Sequence, residues 1–308
     1  MDNARSLLAC VAEVHHGIVA SHHFAELGIT ESQRARLVRS GVLVRERYGA
    51  YRVAGAPLSW RGSLLAAVWA GGTRALASAR SGAALWEVPG AHRRIQEVLC
   101  PEWRRARHST LVVHESNVID DFDRAVVDGI PVTSIERTIL DLGAVRSADI
   151  VEQAVEAALR RELTTITRLH ATLMRLGRRG RNGTAVLRGI LGARRPERRV
   201  TDSTPEVMMI QLFRRRGIPE PVPQFEVWHN GRFVARVDGA LPQWRIAFEY
   251  ESFQEHTGKQ ALVRDSWRRN ELIRVDWLPI AVTWADLDSG GHVVCQQVLD
   301  TIALRSAA

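Results

Sequence analysis

Acidic residues at the ends of apolar strands constrain this chain more than any other feature. Between residues 224 and 287, two strand-like runs at 231–237 and 244–250 are joined by a Gly-Ala-Leu-Pro-Gln stretch. Loops of that composition turn a chain back on itself. Asp238 closes the first run, and Glu249 and Glu251 lie two residues apart on the second. Strand alternation therefore points both glutamates to one face. A helix rich in Arg and Asp is expected at 257–275, then a third apolar strand at 277–283. Carboxylates set among Val, Ile, Ala and Phe are costly to bury unpaired. A hard divalent cation held by their oxygens accounts for their coexistence.

The succession Arg236-Val237-Asp238, Glu249/Glu251, His256, Arg264/Asp265 and a strand at 280–284, with Glu206 on a preceding helix, resembles the PD-(D/E)xK restriction-endonuclease-like fold. Within it, the closer likeness is to the small domains related to very-short-patch-repair endonucleases, and it covers about residues 201–303. The resemblance implies an α/β domain that hydrolyses phosphodiester bonds with Mg2+ or Mn2+. Asp238, Glu249 and Glu206 would be the metal-site acids, and the catalytic group would be Asp238, Glu249, Glu251, His256 and Lys259. Arg264 and Arg268 would touch the DNA backbone or form ion pairs along their helix. One position departs from the pattern: Glu251 stands where the family's signature lysine is expected. Lys259 can replace that lysine from the next helix, His256 can act as the base, or the site can lack chemistry altogether. Glu206 has a second explanation as a partner of its helix dipole, with Ser203 or Thr204 as cap and Pro205 in the first turn.

At the other end, helices are expected at 4–14, 21–27 and 31–40. Thr30 and Gln33 form a capping box for the third, and Gly41 ends it. That helix turns Leu37 and Val38 inward and leaves Arg34, Arg36 and Arg39 on its surface. A hairpin, 43–46 and 51–53, follows around Tyr48-Gly49-Ala50 and carries Arg45 and Arg47. Helix, helix, basic helix and two-stranded wing is the order of a winged helix-turn-helix, which docks on DNA. The alternative is a helical packing module whose arginines form a solvated face. Gly41, Arg45, Gly49 and Tyr51 resemble the N-terminal domain of AbiEi-type antitoxins of type IV toxin–antitoxin systems, over residues 1–90. That likeness implies a promoter-binding regulator with a cognate toxin as partner.

Between these ends, helices are expected at 60–70, 75–86, 135–142, 150–160, 166–176 and 183–191, and strands at 98–100, 111–115 and 125–127. The Gly-Ile-Pro-Val-Thr stretch at 129–133, with Arg137 and Asp141, resembles the central antitoxin domain. Arg137 and Asp141 are four apart on a helix, which predicts a surface ion pair worth roughly 0.2–0.5 kcal/mol. Arg-dense loops fall at 177–183 and 193–199, and the second, with its proline, marks a domain boundary. It is either a phosphate-binding ridge or a solvated linker. The expected organisation is an α+β N-terminal part, with a winged helix-turn-helix at 1–90 and a helical/β middle region at 91–200, followed by an α/β restriction-endonuclease-like domain at 201–308.

The net charge of +8 and pI near 10.5 favour a polyanionic partner, since neutralising phosphates releases counterions. Three cysteines without paired spacing argue against a zinc site or a disulfide framework and fit small buried side chains. No secretion signal or membrane-length apolar run is present, so a cytoplasmic protein is expected. Three functions fit: a metal-dependent DNA endonuclease, an antitoxin-like transcriptional regulator whose nuclease-like domain is non-catalytic, or an interaction protein that keeps the fold and binds no nucleic acid.

Overall fold

The computed structural model describes residues 2–104, 108–177, 183–193, 203–251 and 259–307, with backbone alone at 2–4, 251 and 259–265. The chain is mixed α and β and forms two compact units, residues 1–154 with 164–191 and residues 155–163 with 192–308. The boundary expected at 90 falls inside the first unit, and the one expected at 200 lies near the start of the main part of the second. No described helix is long and apolar enough to cross a membrane.

The first unit opens with α1 (Asp2–Val14), β1 (Ile18–Ala20), α2 (Ser21–Glu26), α3 (Glu31–Arg39), β2 (Leu43–Arg47) and β3 (Ala50–Val53). The three strands pair antiparallel in the order β1-β3-β2. Leu8, Val19, Phe24, Leu37, Leu43 and Tyr51 make one core beneath them. Helix α3 starts where the capping box requires: Thr30 N donates to Gln33 Oε1 at 2.8 Å and Gln33 N to Thr30 Oγ1 at 3.3 Å. Gly49 adopts φ +68° in the β2–β3 turn, a conformation that L side chains rarely adopt. Strand β1 escaped the sequence because all three of its residues are buried and show no alternation.

Helix α4 (Trp60–Ala70), β4 (Leu76–Ala77), α5 (Ala79–Trp86), β5 (Gln96–Cys100), β6 (Leu111–Glu115), β7 (Arg124–Val127), β8 (Ile130–Thr133), α6 (Ile135–Leu142), α7 (Ala148–Arg160), α8 (Ile166–Leu176) and α9 (Thr184–Ala193) follow. The strands form a mixed sheet in the order β6-β5-β4-β8-β7. The helix expected over 75–86 is shorter than its sequence suggests. Leu76 and Ala77 instead pair with Leu99 and Val98, and Ala77 also with Val132, at the centre of the sheet. Tertiary pairing overrides the helix preference of such small residues. Gly82 lets α5 press on α6, since a Cβ there would sit 2.9 Å from Thr138 Oγ1.

Arg137 corrects a second expectation. It is 0% exposed and lies among the largest fully buried side chains. Its Nε donates to both oxygens of Asp141 at 3.0 Å, and Nη1 reaches the Val118 carbonyl at 3.0 Å and Asp123 Oδ2 at 3.2 Å. Asp123 is itself buried and also accepts from Arg175, Nη2 to Oδ1 at 2.6 Å and Nη1 to Oδ2 at 3.0 Å. Helix spacing revealed the Asp141 pair but not its burial. Cys10 likewise is exposed rather than buried, while Cys100 and Cys295 are inside.

The second unit runs α10 (Thr204–Arg215), β9 (Val222–His229), β10 (Arg232–Leu241), β11 (Ile246–Glu251), α11 (Lys259–Arg274), β12 (Leu278–Thr283), α12 (Trp284–Ser289) and α13 (His292–Ser306). Its sheet has the order β12-β11-β10-β9, antiparallel except for the parallel pair β11–β12. Ile246, Phe248, Ile280 and Val282 face α10, α12 and α13, meeting Phe213, Leu287 and Val298. Val227, Val237 and Ala247 line the other side with Leu272 of α11 and Val275 just beyond it. The Gly-Ala-Leu-Pro-Gln stretch is not a loop throughout. Gly239, Ala240 and Leu241 extend β10 and pair with Phe248, Ala247 and Ile246, because two of these side chains are apolar and buried. Only Pro242–Trp244 makes the turn.

Candidate functional site

The carboxylates meet on the α11 face of the second sheet. Gly239 pairs with Phe248, so one step further along the antiparallel register Asp238 lies opposite Glu249. Val237 packs toward α11, whereas Gly239 approaches Met209 of α10 on the other side. The alternation of β10 therefore slips at Asp238, and beside it Gln224 of β9 takes φ +50°. Glu249 follows Ala247 in facing α11. Asp238 is half-buried, and its Oδ2 accepts the Tyr250 amide at 2.8 Å.

Glu249 is 7% exposed. Arg268 Nε of α11 lies 2.9 Å from its Oε1, yet the N–H is poorly aimed. That oxygen receives no well-directed hydrogen bond from any described residue. Burial, before any other cause, raises the Glu249 carboxyl above its ordinary 4.5; the Arg268 charge pulls it down, Asp238 pushes it up, and the Arg269 charge and the close Arg268 N–H contact pull it down again.

Glu206 opens α10 and is 3% exposed. Both of its oxygens are engaged: Ser203 Oγ donates to Oε1 at 2.8 Å, and Gln224 Nε2 to Oε2 at 2.9 Å. Gln224 thus links the β9 kink to the start of α10. Glu251 ends β11, and Lys259 and Arg264 belong to α11, but their side chains lie outside what is described, and His256 lies wholly outside the described residues. Among the described residues no three His, Cys, Asp or Glu side chains gather at metal-holding distance. The chemistry of the two that do converge nevertheless suits Mg2+ or Mn2+: both are hard carboxylates, and one carries an orphaned buried oxygen.

A stability measurement separates metal holding from packing. Asparagine at 238 still offers an oxygen to the Tyr250 amide and removes one charge from beside Glu249. Asp238→Asn should therefore leave the melting temperature in chelator unchanged or raise it by up to about 4 °C. A fall of that size would make Asp238 a structural partner. The sign with pH follows from Glu249. Its folded-state pKa is raised, so its stabilising contribution is full below the unfolded value of 4.5 and is lost as pH rises through the folded value. Asp238→Asn should flatten that decline in a melting series against pH.

The arginines expected at DNA divide into two groups. Arg36, Arg39 and Arg45 are exposed, with the Arg45 guanidinium 5.6 Å from the Tyr48 ring. Arg34 is spoken for: it pairs with Glu31, donates to Ser21 Oγ at 3.4 Å and lies 5.6 Å from the Tyr51 ring centre and 5.8 Å from Phe24. Arg47 reaches Thr110 Oγ1 at 3.4 Å, with its Nε buried and without a hydrogen-bond partner among the described residues. On α11, exposed Trp267 stands next to Arg268.

Sequence reasoning did not anticipate two buried polar features of the first unit. Glu97 of β5 is 0% exposed and is held by Arg80 and by His114 Nε2 at 3.0 Å, with its amide donating to Ser81 Oγ at 2.9 Å. Burial acts to raise its carboxyl, but His114 and Arg80 together hold it below the ordinary value. His15, His22 and His23 cluster on Trp69, and burial, followed by the charges of His22 and His15, lowers His23 to about 4. The only sequence signal for the second feature was the run of histidines interrupting an apolar segment.

No family model matches the chain. Two proteins from different strains of Mycobacterium tuberculosis, both described as uncharacterised, are each 28% identical to it over 257 residues, 82% of this chain and 91% of theirs. That stretch is longer than either compact unit alone, so the likeness includes residues of both.

Proposed function

We propose that this chain is a DNA-binding protein whose C-terminal unit is a metal-dependent endonuclease of the restriction-endonuclease-like kind, brought to DNA by an N-terminal winged helix-turn-helix. One observation carries the reading: Asp238 and Glu249 converge on one sheet face, and the buried Glu249 keeps an oxygen that no described donor satisfies. An acid in that state asks for a cation. Asp238 and Glu249 would hold a divalent ion, which would supply Lewis acidity for the attack of a water on the scissile phosphate. Asp238 is fixed for this by the Tyr250 amide, and Glu249 by its place between β11 and α11. His256 or Lys259 orients or deprotonates the water, and Glu251 supports the outer part of the site. Arg264 and Arg268 of α11 meet the DNA backbone.

In the first unit, the order and pairing of α1, β1, α2, α3, β2 and β3 support the winged-helix reading, with α3 and the β2–β3 turn as the DNA-facing parts. Arg36, Arg39 and Arg45 are the exposed charges that would position on phosphates. Replacing Arg36 and Arg39 together by Ala should weaken duplex binding and reduce the slope of log affinity against log salt by roughly two. Arg34→Ala should lower thermal stability, because its guanidinium is committed to Phe24, Tyr51 and Glu31. A salt titration by fluorescence anisotropy checks the first and a thermal melt the second; an unchanged slope in the double variant would remove α3 from the interface.

The second reading, an antitoxin-like regulator with a cognate toxin and a non-catalytic second unit, is favoured by the Arg268–Glu249 pair, which neutralises the acid without a metal. Supercoiled plasmid incubated with full-length protein and Mg2+ or Mn2+ separates the two. Nicking that EDTA stops supports the endonuclease. Salt-sensitive DNA binding with no cleavage supports the regulator.

A further inference from the structure

The cation nearest the buried acid belongs to the protein itself. Arg268 reaches Glu249 from α11 across the sheet face that also carries Asp238, with Nε 2.9 Å from Oε1. The contact is close but misdirected, since Glu249 Oε1 accepts no aligned hydrogen bond from any described residue although the side chain is only 9% exposed. The Arg268 side chain is 43% exposed, so its outer part reaches water while its charge is held inward. A guanidinium makes five donors in a rigid fork that suits carboxylate and phosphate alike. Here it uses that fork badly. It supplies charge and leaves the hydrogen-bonding capacity of the oxygen unmet.

We propose that Arg268 is a stand-in cation: it neutralises Glu249 until a divalent ion takes that oxygen, and it then swings outward to a phosphate of the bound nucleic acid. This rests on the metal-site reading of Asp238 and Glu249. It makes Arg268 a positioning residue that couples metal loading to substrate binding. Without metal, the arginine is withheld from phosphate; with metal, the same charge becomes available just beside the acids.

The test is calorimetric titration of Mn2+ into the full-length chain without DNA, comparing wild type, Arg268→Gln and Arg268→Lys. Removing the competing charge should tighten Mn2+ binding about tenfold in the glutamine variant. The lysine variant should fall between it and wild type, since it keeps the charge but not the fork. Salt titrations of duplex binding should show wild type gaining about one unit of slope on adding Ca2+, and Arg268→Gln gaining none. If wild type binds Mn2+ and Arg268→Gln binds it equally or less tightly, the stand-in role is overturned while the metal site stands. If neither binds Mn2+ and both remain folded by circular dichroism, the metal site falls and this role falls with it. Should the glutamine variant fail to fold, the lysine variant decides: affinity no tighter than wild type overturns the role.

Discussion

Replacing Arg137 by Ala should destabilise the first unit by about 3–5 kcal/mol, the range for removing one partner of a buried ion pair. Two features place the effect at that level. Arg137 is fully buried, and its donors serve Asp123, Asp141 and the Val118 carbonyl together. With the arginine gone, the buried Asp123 keeps, among the described residues, Arg175 and the Asp120 amide as partners. Arg175 is partly exposed, so Arg175→Ala should cost less than Arg137→Ala. Replacing Arg137 by Met in an Asp123→Asn background should recover part of the loss, because the stranded charge is removed along with its partner. Urea denaturation at neutral pH checks the order. Equal, small losses in both single variants would mean that the cluster contributes no more than surface pairs do.

The same cluster sets an acid limit. Burial acts to raise the Asp123 carboxyl, but the hydrogen bonds from Arg175 and the Asp120 amide, with the charges of Arg137 and Arg175, hold it below its ordinary 3.8. A depressed folded-state pKa gives stability that is full above the unfolded value and is lost as pH falls through the folded one. The first unit should therefore lose stability below about pH 4, and Arg137→Ala should weaken that dependence.

Local signals were the ones that could be read from the sequence. The Thr30/Gln33 box, the Gly49 turn and the Ser203–Pro205 start of α10 each depend on residues within one turn of each other, and each stands where spacing alone puts it. The hairpin pairing sets Asp238 opposite Glu249, but alternation alone does not place Asp238, because β10 slips there. Depth was not readable. Arg137 and Asp141 have the spacing of a solvated pair, yet Arg137 is fully buried and also meets Asp123, which another element brings to it. The Arg268–Glu249 pair was hidden for the same reason: it joins α11 to β11, and no periodicity within either element encodes which of their residues meet. Gly239-Ala-Leu reads as loop composition, yet its apolar pair joins the sheet core, where tertiary pairing decides the outcome.

The larger functional effect belongs to Asp238. Asp238→Ala should reduce metal-dependent DNA cleavage at least about a hundredfold, as expected when a group that stabilises transition-state charge is lost. Asp238 stands opposite Glu249 and is oriented by the Tyr250 amide, so no described neighbour can take its place. Glu249→Gln should reduce cleavage and Mn2+ affinity together, whereas His256→Ala should slow cleavage more than it weakens metal binding. Without divalent ions, Asp238→Ala and His256→Ala should bind duplex DNA as wild type does, since the Arg268–Glu249 pair and the arginines of the first unit are untouched.

The most direct measurement is single-turnover cleavage of an end-labelled duplex by full-length protein with Mn2+, run beside Asp238→Ala and an EDTA control. The endonuclease reading predicts product from wild type alone, at a rate that saturates with Mn2+. Equal cleavage by wild type and Asp238→Ala, or Mn2+ bound by wild type with no cleavage of duplex, mismatched or single-stranded DNA, would contradict it and leave the regulator.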